Sequence, residues 1–260
     1  MSHFSAFPPS SESFRRRPAK GGRGASVTHD SAEQHVTGAA QYVDDIPELA
    51  RTLHAAIGKS PVAKGTLTQL DLSQVRTAAG VVDVVTIADM PAVTDIGPVY
   101  QGDPILAGPE LQFHGQALFA VAAATFIEAR KAVALAAIQV DEQIPTLTLE
   151  QALASGERVR PDHMMVKGDA KKALASAPNT LTNTLYNKGQ EHFYLESQVS
   201  YAVPTDDGGM TIYTSSQHPS EVQKLVAEVL GIAMHKVTVL VRRMGGGFGG
   251  KETQAAPWAC

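Results

Sequence analysis

A glycine-dense run near the end of the sequence limits the local fold more than any other feature of this chain. Five of the six residues from Gly245 to Gly250 are glycine, and Phe248 is the exception. Without Cβ atoms, several main-chain N–H groups can point together at one set of lone pairs. The preceding residues, 236–241, are apolar and β-branched and predict a strand. A strand, a glycine-rich loop and a helix form an anion-binding arrangement, and we expect that helix to begin after Glu252.

Three interpretations of this loop remain open from its spacing alone. Gly245-x-Gly247-x-x-Gly250 satisfies the dinucleotide pattern, but that pattern belongs early in a βαβ unit, with an acidic residue about 20 positions later. The run that ends at Lys251 has phosphate-loop spacing, but Glu252 stands where magnesium binding needs Ser or Thr. The third interpretation is a glycine-rich loop that only allows two backbones to pack closely.

Charge and cysteine content exclude several classes of function. The net charge of −4 argues against a general nucleic-acid binder. Cys260 is the only cysteine, so the chain has no internal disulfide and cannot hold an iron–sulfur cluster by itself, which takes about four thiolates. Redox chemistry would therefore need a partner to carry the electrons away. The longest apolar run, residues 117–127, is shorter than the roughly 20 residues that cross a bilayer. Because a signal peptide is not recognisable either, we expect no membrane association and a cytoplasmic location.

The composition divides the chain into a tail and an α+β region. Residues 1–26 are rich in Ser, Pro, Arg and Gly and predict a disordered tail. From residue 27 the composition is globular, and short apolar stretches between glycine and proline turn signals indicate a first domain over residues 27–146. The predicted elements of this domain are strands at 53–57, 67–72, 81–87, 117–123 and 138–140, a short helix near 73–79, and a helix of about twelve residues through Ala137, opened by the capping box of Thr125 and Glu128.

A polar segment distinguishes the second region, which begins near residue 150 and extends to 260. Residues 185–203 predict a strand, and the part from Gly189 to Glu196 carries many polar and aromatic side chains. Alternation along such a strand places Gln190, His192, Tyr194 and Glu196 on one side. An unpaired buried polar group costs about 1–3 kcal/mol, so these side chains either have partners or form an exposed polar face.

An amphipathic helix is predicted later in the second region. Residues 210–213 predict a strand that follows a hairpin turn at Asp207-Gly208-Gly209. A capping box formed by Ser220 and Gln223 is expected to open the helix, and Gly231 is its C′ residue. The apolar positions repeat at helical spacing, so we expect the helix to pack on a sheet.

Several motifs, in order along the chain, resemble those of the xanthine dehydrogenase and aldehyde oxidase family. The similarity is greatest to the N-terminal portion of the molybdenum-binding subunit in bacterial members. It implies an α+β fold in which an N-terminal α/β-hammerhead domain over 27–146 is followed by the beginning of a mixed α/β molybdopterin-binding domain over 150–260. The segments that carry the resemblance are Thr37 to Pro47, Lys167 to Asp169, Gly189 to Glu196, Ser215 to Ser220 and Arg242 to Glu252.

The resemblance implies roles for individual residues. Gln190 would hydrogen-bond an oxo ligand of molybdenum, and backbone groups of Gly247, Phe248 and Gly249 would approach the metal's oxygen ligand and the pterin. Gln190 and Phe248 would thus lie near the molybdenum ligands without being protein ligands of the metal. Glu252 would orient and stabilise a purine substrate, since typical aldehyde oxidases tend to have an apolar residue there.

The implied activity is that of a molybdenum hydroxylase acting on a ring carbon of xanthine or hypoxanthine, with molybdopterin as the cofactor. Two electrons would leave through a partner subunit that carries 2Fe-2S clusters and FAD, and would reach NAD. The alternatives are a hydroxylase for another N-heterocycle or an aldehyde, and a non-catalytic assembly module. Because family members are much longer, we expect the remainder of a molybdopterin-binding polypeptide as a further partner, and a 260-residue chain that is inactive alone.

Overall fold

A computed structural model describes residues 24–156 and 158–252 of the chain. The chain divides into two units, Met1–Tyr42 and Val43–Cys260. In the first unit, helix α1 (Ala32–Thr37) ends at Gly38, whose φ of 75° is left-handed. The predicted tail lies outside the described residues except for 24–26, and the helix predicted after Glu252 lies outside them too.

Residues 43–142, all of which are described, form two antiparallel three-stranded sheets with short helices beside them. The strand order is β1-β5-β3 in one sheet and β4-β2-β6 in the other. The elements are 3₁₀ turns at Val43–Asp45 and Ile87–Asp89, strands β1 (His54–Lys59), β2 (Gly65–Asp71), β3 (Val81–Thr86), β4 (Glu110–Leu111), β5 (Ala117–Ala123) and β6 (Ala137–Glu142), and helices α2 (Ser73–Arg76) and α3 (Phe126–Val133).

Strand β5 is the centre of the first sheet and the best example of sequence-determined structure in this chain. Its observed bounds are those predicted. Its partners are β1 and β3, and Phe119 is fully buried in an apolar core that includes Leu118, Val121 and Val84. A Cβ at Gly58, opposite Phe119, would lie 2.0 Å from the phenyl ring, so the ring fills the space that a side chain would need.

Helix α3 begins where the sequence indicates but ends earlier. The Thr125 hydroxyl accepts a hydrogen bond from the Glu128 N–H at 3.2 Å, as an N-cap does. The predicted twelve-residue length is wrong, because the helix closes at Val133 with i→i−3 bonds from Leu135 and Ala136. The chain is then free to pair β6 with β2 from Ala137 onwards.

The segment between β6 and β7 contains two short helices, α4 (Leu149–Ser155) and α5 (Ala170–Ser176). Asp169 caps α5 by accepting the Lys172 N–H at 2.9 Å. The strand predicted over 185–203 is wrong except at its end, because residues 185–199 belong to no strand and the chain bends at 195, 196 and 198 before β7 begins at residue 200. At Phe193 the φ of 49° interrupts the extended backbone that a continuous strand needs.

A third sheet carries the end of the described chain. Its order is β7-β8-β9, with β7 and β8 antiparallel and β8 and β9 parallel. Helix α6 connects the parallel pair and packs on it through a core that includes Ile212, Val222 and Val237. The elements are β7 (Ser200–Pro204), β8 (Met210–Thr214), α6 (Pro219–Leu230), a 3₁₀ turn at Met234–Lys236 and β9 (Val237–Leu240).

The start of α6 differs from the prediction of a capping box at Ser220. His218 is the N-cap, because its Nδ1 accepts the Glu221 N–H at 3.1 Å. Pro219 fits the first helical position, where no N–H is needed. Gln223 instead donates to the Val237 carbonyl at 2.7 Å. The predicted C-terminal glycine is confirmed, since Gly231 has a φ of 66°.

Together these elements confirm the predicted α+β class, whereas the predicted domain limits stay predictions. Within the described part of the chain, none of the helices combines the length and apolar character needed to cross a bilayer.

Candidate functional site

Three segments that are distant in sequence meet after β9. We call residues 245–250 the glycine loop and residues 189–198 the polar segment. The third segment is residues 215–217, which follow β8. Because β8 and β9 are parallel neighbours, the residues that follow them emerge at the same edge of the sheet.

The first glycine of the loop is joined to the polar segment by two backbone contacts. The Gly245 N–H donates to Glu196 Oε2 at 2.7 Å, and the Glu196 N–H donates to the Gly245 carbonyl at 3.2 Å. A Cβ at Gly245 would lie 2.4 Å from the Glu196 Cβ, so only glycine allows this approach.

The far end of the loop is held by Gln217. Its Oε1 accepts the Gly249 N–H at 2.9 Å and the Lys251 N–H at 3.3 Å. In return, the Gln217 N–H donates to the Lys251 carbonyl at 2.8 Å. Gln198 of the polar segment adds a bond from Nε2 to the Gly250 carbonyl at 3.0 Å.

Lys251 lies beneath the loop and is fully buried. Its Nζ donates to Ser215 Oγ at 2.7 Å and lies 3.3 Å from Glu196 Oε2. The Tyr194 ring centroid is 4.8 Å from the same ammonium group. The phosphate-loop interpretation is excluded by this placement, since a phosphate-loop lysine must reach the phosphates.

The tip of the loop presents main-chain donors. Among residues 24–156 and 158–252, the N–H groups of Gly246, Gly247 and Phe248 have no hydrogen-bond acceptor. Gly247 is a buried residue, and a buried N–H without an acceptor is rare in a native protein. The φ values of 99° at Gly246 and 51° at Phe248 are both left-handed. Left-handed turns of this kind gather successive N–H groups into a concave anion site.

Phe248 holds an unfavourable conformation at the surface. A left-handed φ costs a non-glycine residue about 1–2 kcal/mol, and the Phe248 side chain is 76% exposed, so its own burial offers no compensation. Backbone strain of this kind is often found at functional sites.

The structure brings some of the predicted site residues together and leaves others apart. Gly247 and Phe248 lie at the loop tip, whereas Gly249 lies at the far end, where its N–H donates to Gln217. Gln190 is exposed and precedes the part of the polar segment that touches the loop. Glu252 is exposed directly after the buried Lys251. The roles predicted for these five residues stay predictions.

The predicted sidedness of the polar segment is found for His192, Tyr194 and Glu196, which face the loop without forming a strand, but not for the exposed Gln190. A Cβ at Gly250 would lie 2.7 Å from Tyr194 Cε1 and 3.0 Å from the His192 ring. Phe193 and Leu195, by contrast, are almost fully exposed. The close-packing interpretation of the glycines is therefore realised along the loop, since a Cβ at Gly247 would also lie 2.6 Å from Gln217 Oε1. The N–H groups of the tip nevertheless remain without acceptors in the described chain.

Sequence reasoning assigned no role to three residues that build the site. Lys251 was considered only as a phosphate-loop lysine, Gln217 only as part of a motif, and Glu196 only as a member of a polar face. The available signal was the joint appearance of motifs at 189–196, 215–220 and 242–252, which indicates that their side chains meet.

The donors at this site suit an oxygen-rich anionic group. Across the described part of the chain, no cluster of three His, Cys, Asp or Glu side chains could hold a metal ion. The loop tip offers N–H groups, and Gln190 adds an exposed amide. These groups fit the oxygens of a phosphorylated or oxo-bearing cofactor and do not themselves form a metal-ligand set.

Comparison with known protein families finds two domain matches along the chain. Residues 37–143 match the model described as the aldehyde oxidase and xanthine dehydrogenase a/b hammerhead domain. Residues 156–260 match the molybdopterin cofactor-binding domain. The predicted fold, a hammerhead domain followed by a molybdopterin-binding domain, is thereby confirmed.

Three relatives illustrate the range of similar proteins. A xanthine dehydrogenase of Drosophila pseudoobscura pseudoobscura is 36% identical over 89% of this chain and 17% of its own length. A nicotinate hydroxylase of Emericella nidulans is 36% identical over 91% of this chain and 18% of its own length. The solved aldehyde oxidoreductase from Desulfovibrio gigas has a TM-score of 0.74 and 25% identity, over 85% of this chain and 27% of that one. The chain thus spans less than a third of each protein.

Proposed function

This chain belongs to the aldehyde oxidase and xanthine dehydrogenase family, and from that premise we propose that it supplies part of the cofactor site of a molybdenum hydroxylase. The proposed substrate is xanthine or hypoxanthine. The chain contains a molybdopterin cofactor-binding domain, and its glycine loop lies within the matched residues.

A single observation carries the proposal: three consecutive N–H groups, at Gly246, Gly247 and Phe248, lack acceptors within the described chain. N–H groups aimed at one point bind an anionic oxygen without needing a side chain. When bound, molybdopterin supplies the redox centre that takes two electrons from the substrate. The loop N–H groups would hold oxygens of the cofactor, and Gln190 would contribute its amide as a donor.

Glu252 is the residue on which the purine assignment depends. It is exposed, and it directly follows Lys251, whose backbone N–H and carbonyl are both bonded to Gln217. A carboxylate can accept an N–H of a purine ring and stabilise the charge that shifts during attack on the ring carbon. An aldehyde offers no such N–H, so Glu252 favours a purine.

The electrons would leave through a second polypeptide. Cys260 is the only cysteine, and an iron–sulfur cluster takes about four thiolates. We therefore propose a partner subunit that carries 2Fe-2S clusters and FAD and reduces NAD in the cytoplasm. The 260-residue chain alone would neither hold the cofactor firmly nor turn over, and stoichiometric molybdenum with xanthine oxidation in that purified chain would contradict this part.

Glu252→Ala in the assembled holoenzyme tests the proposed substrate. We expect kcat/KM for xanthine to fall at least about tenfold, which corresponds to about 1.4 kcal/mol in the barrier. Molybdenum content should be unchanged, because Glu252 lies beyond the loop tip. Glu150→Ala, at an exposed glutamate of α4, is the matched control and should leave both quantities unchanged.

The same holoenzyme separates the alternatives. An unchanged xanthine rate in Glu252→Ala would remove the purine assignment and leave the cofactor assignment standing. Faster turnover of nicotinate or of an aldehyde than of xanthine would favour the activities named for the fungal and bacterial relatives. A holoenzyme purified without molybdenum would contradict the proposed function itself and favour an assembly module.

A further inference from the structure

Glu196, Ser215 and Lys251 form a group beneath the glycine loop that the proposed chemistry does not use. We call these three residues the buried clasp. Lys251 and Ser215 are fully buried, and the Glu196 side chain is 13% exposed. Placing an ammonium group in a protein interior costs several kcal/mol unless a partner offsets it. A simple packing role would be met by an apolar side chain of similar size.

Three bonds of the clasp meet at one carboxylate oxygen. Glu196 Oε2 accepts from the Gly245 N–H at 2.7 Å and from the Ser215 hydroxyl, and it lies 3.3 Å from Lys251 Nζ. Lys251 Nζ in turn donates to Ser215 Oγ at 2.7 Å. In the described chain, Glu196 Oε1 is buried and has no hydrogen-bond partner, so the whole interaction passes through Oε2.

The clasp connects the two ends of the glycine loop. Gly245, the first glycine, is bonded to Glu196. Lys251 directly follows the last glycine, and its side chain returns to the same carboxylate. Besides the bonds from Gln217 and Gln198 at the far end, one ion pair therefore connects the two ends directly and restrains their separation.

We propose that Lys251 is a positioning residue that acts through Glu196 to set the curvature of the glycine loop and the direction of the N–H groups at Gly246 to Phe248. Its value for catalysis rests on the proposed function, but the geometric effect does not. With the clasp broken, we expect the left-handed turn at Phe248 to relax and the three N–H groups to change direction.

Residue-resolved hydrogen exchange on the 260-residue chain without cofactor tests the geometric effect. In Lys251→Met we expect three bonded backbone amides to exchange at least about tenfold faster. They are the amides of Gly245, Gly249 and position 251. Amides of the β7–β8 hairpin should keep their rates. Lys171→Met removes an exposed ammonium from α5 and, as the matched control, should leave the loop unchanged.

Glu196→Gln keeps the test decisive if Lys251→Met does not fold. The amide oxygen can replace Oε2 as the acceptor for Gly245, so only the negative charge is lost. We expect faster loop exchange here too. The double variant Lys251→Met/Glu196→Gln leaves no unpaired buried charge. Its loop amides should therefore exchange at least about tenfold more slowly than the rate obtained by multiplying the accelerations of the two single variants.

The outcomes separate this inference from the proposed function. The clasp would be overturned if loop amides exchanged within about threefold of the wild-type rate in both single variants. It would also be overturned if the acceleration in the double variant equalled the product of the two single-variant accelerations. In the holoenzyme, Lys251→Met should lower kcat about tenfold while KM for xanthine changes less than about twofold, with partial recovery in the double variant. Faster loop exchange with an unchanged kcat at full molybdenum content would overturn the positioning role. A cofactor bound elsewhere would overturn the proposed function and leave the clasp intact.

Discussion

Phe119 in the hammerhead domain and Lys251 under the glycine loop are both fully buried, but different forces hold them. Phe119 contacts apolar neighbours from several strands and helices, and its burial depends on area more than on direction. Lys251 depends on a carboxylate and a hydroxyl at hydrogen-bond distance. Apolar burial is not directional, whereas the hydrogen bonds of the clasp depend on the distance and direction of each donor and acceptor.

This difference indicates what each region contributes. Apolar burial gives the largest stabilisation per residue but places backbone groups only loosely. A loop that must present N–H groups without side chains of its own needs directional contacts at both ends, and Glu196 and Gln217 supply them. We therefore infer that the apolar core of the hammerhead domain contributes mainly to stability, and that the clasp mainly positions the backbone of the glycine loop.

The largest expected effect on stability comes from Phe119→Ala. Removing this ring leaves a cavity beside Gly58, and such changes cost about 3–5 kcal/mol in the free energy of unfolding. Chemical denaturation measures the loss, and hydrogen exchange in the glycine loop should be unaffected below the transition. Phe113→Ala, at a 44% exposed ring, should cost less than about 0.5 kcal/mol. A loss below about 1 kcal/mol in Phe119→Ala would contradict the inference that apolar burial in the hammerhead domain contributes most to stability.

Asp95 lies in the same domain as Phe119 but, like Lys251, combines burial with directional hydrogen bonds. Burial raises the pKa of this carboxyl, but N–H donors from Gly97, Gly102 and Asp103 outweigh it and hold the pKa below its usual value. The stabilisation is thus present above the unfolded pKa of about 3.9 and is lost as the pH falls through the lower folded pKa.

Asp95→Asn should therefore lower the unfolding free energy at pH 7 by about 1–2 kcal/mol. The difference from wild type should shrink as the pH falls below about 4. Denaturant titrations at several pH values measure this difference. A difference that stays constant from pH 7 to pH 3 would show that the charge of Asp95 does not organise its loop.

Gln217→Ala should have the smallest effect on stability and a local effect on the site. It removes the acceptor for two loop N–H groups, but the side chain is exposed, so we expect a loss of about 1 kcal/mol. Exchange of the Gly249 and Lys251 amides should accelerate, and Gln217→Glu, which keeps an acceptor, should restore most of the protection. Equal exchange in all three proteins would mean that the loop is held from its Glu196 end alone.

Local sequence patterns predict the fold where the determining contacts are local. The bounds of β5 follow from a continuous apolar run, and the end of α6 follows from Gly231. The start of α6 was missed because a histidine ring nitrogen replaced the expected hydroxyl cap. The polar segment was assigned as a strand because its alternation is real, although the left-handed Phe193 prevents strand pairing.

The candidate site was only partly predictable for a physical reason. The glycine loop is visible in the sequence because glycine alone allows its backbone. The burial of Lys251 is not visible, because its partners Ser215 and Glu196 lie 36 and 55 positions away. A charged residue is buried only when such distant partners converge, and one sequence does not reveal that convergence.

A structure of the assembled holoenzyme with its cofactor bound would test directly whether the N–H groups of Gly246, Gly247 and Phe248 hold the cofactor. We expect a cofactor oxygen within about 3.2 Å of the backbone nitrogen of Gly246, Gly247 or Phe248. A cofactor located away from residues 246–252, with those three N–H groups bonded only to protein or water, would contradict it.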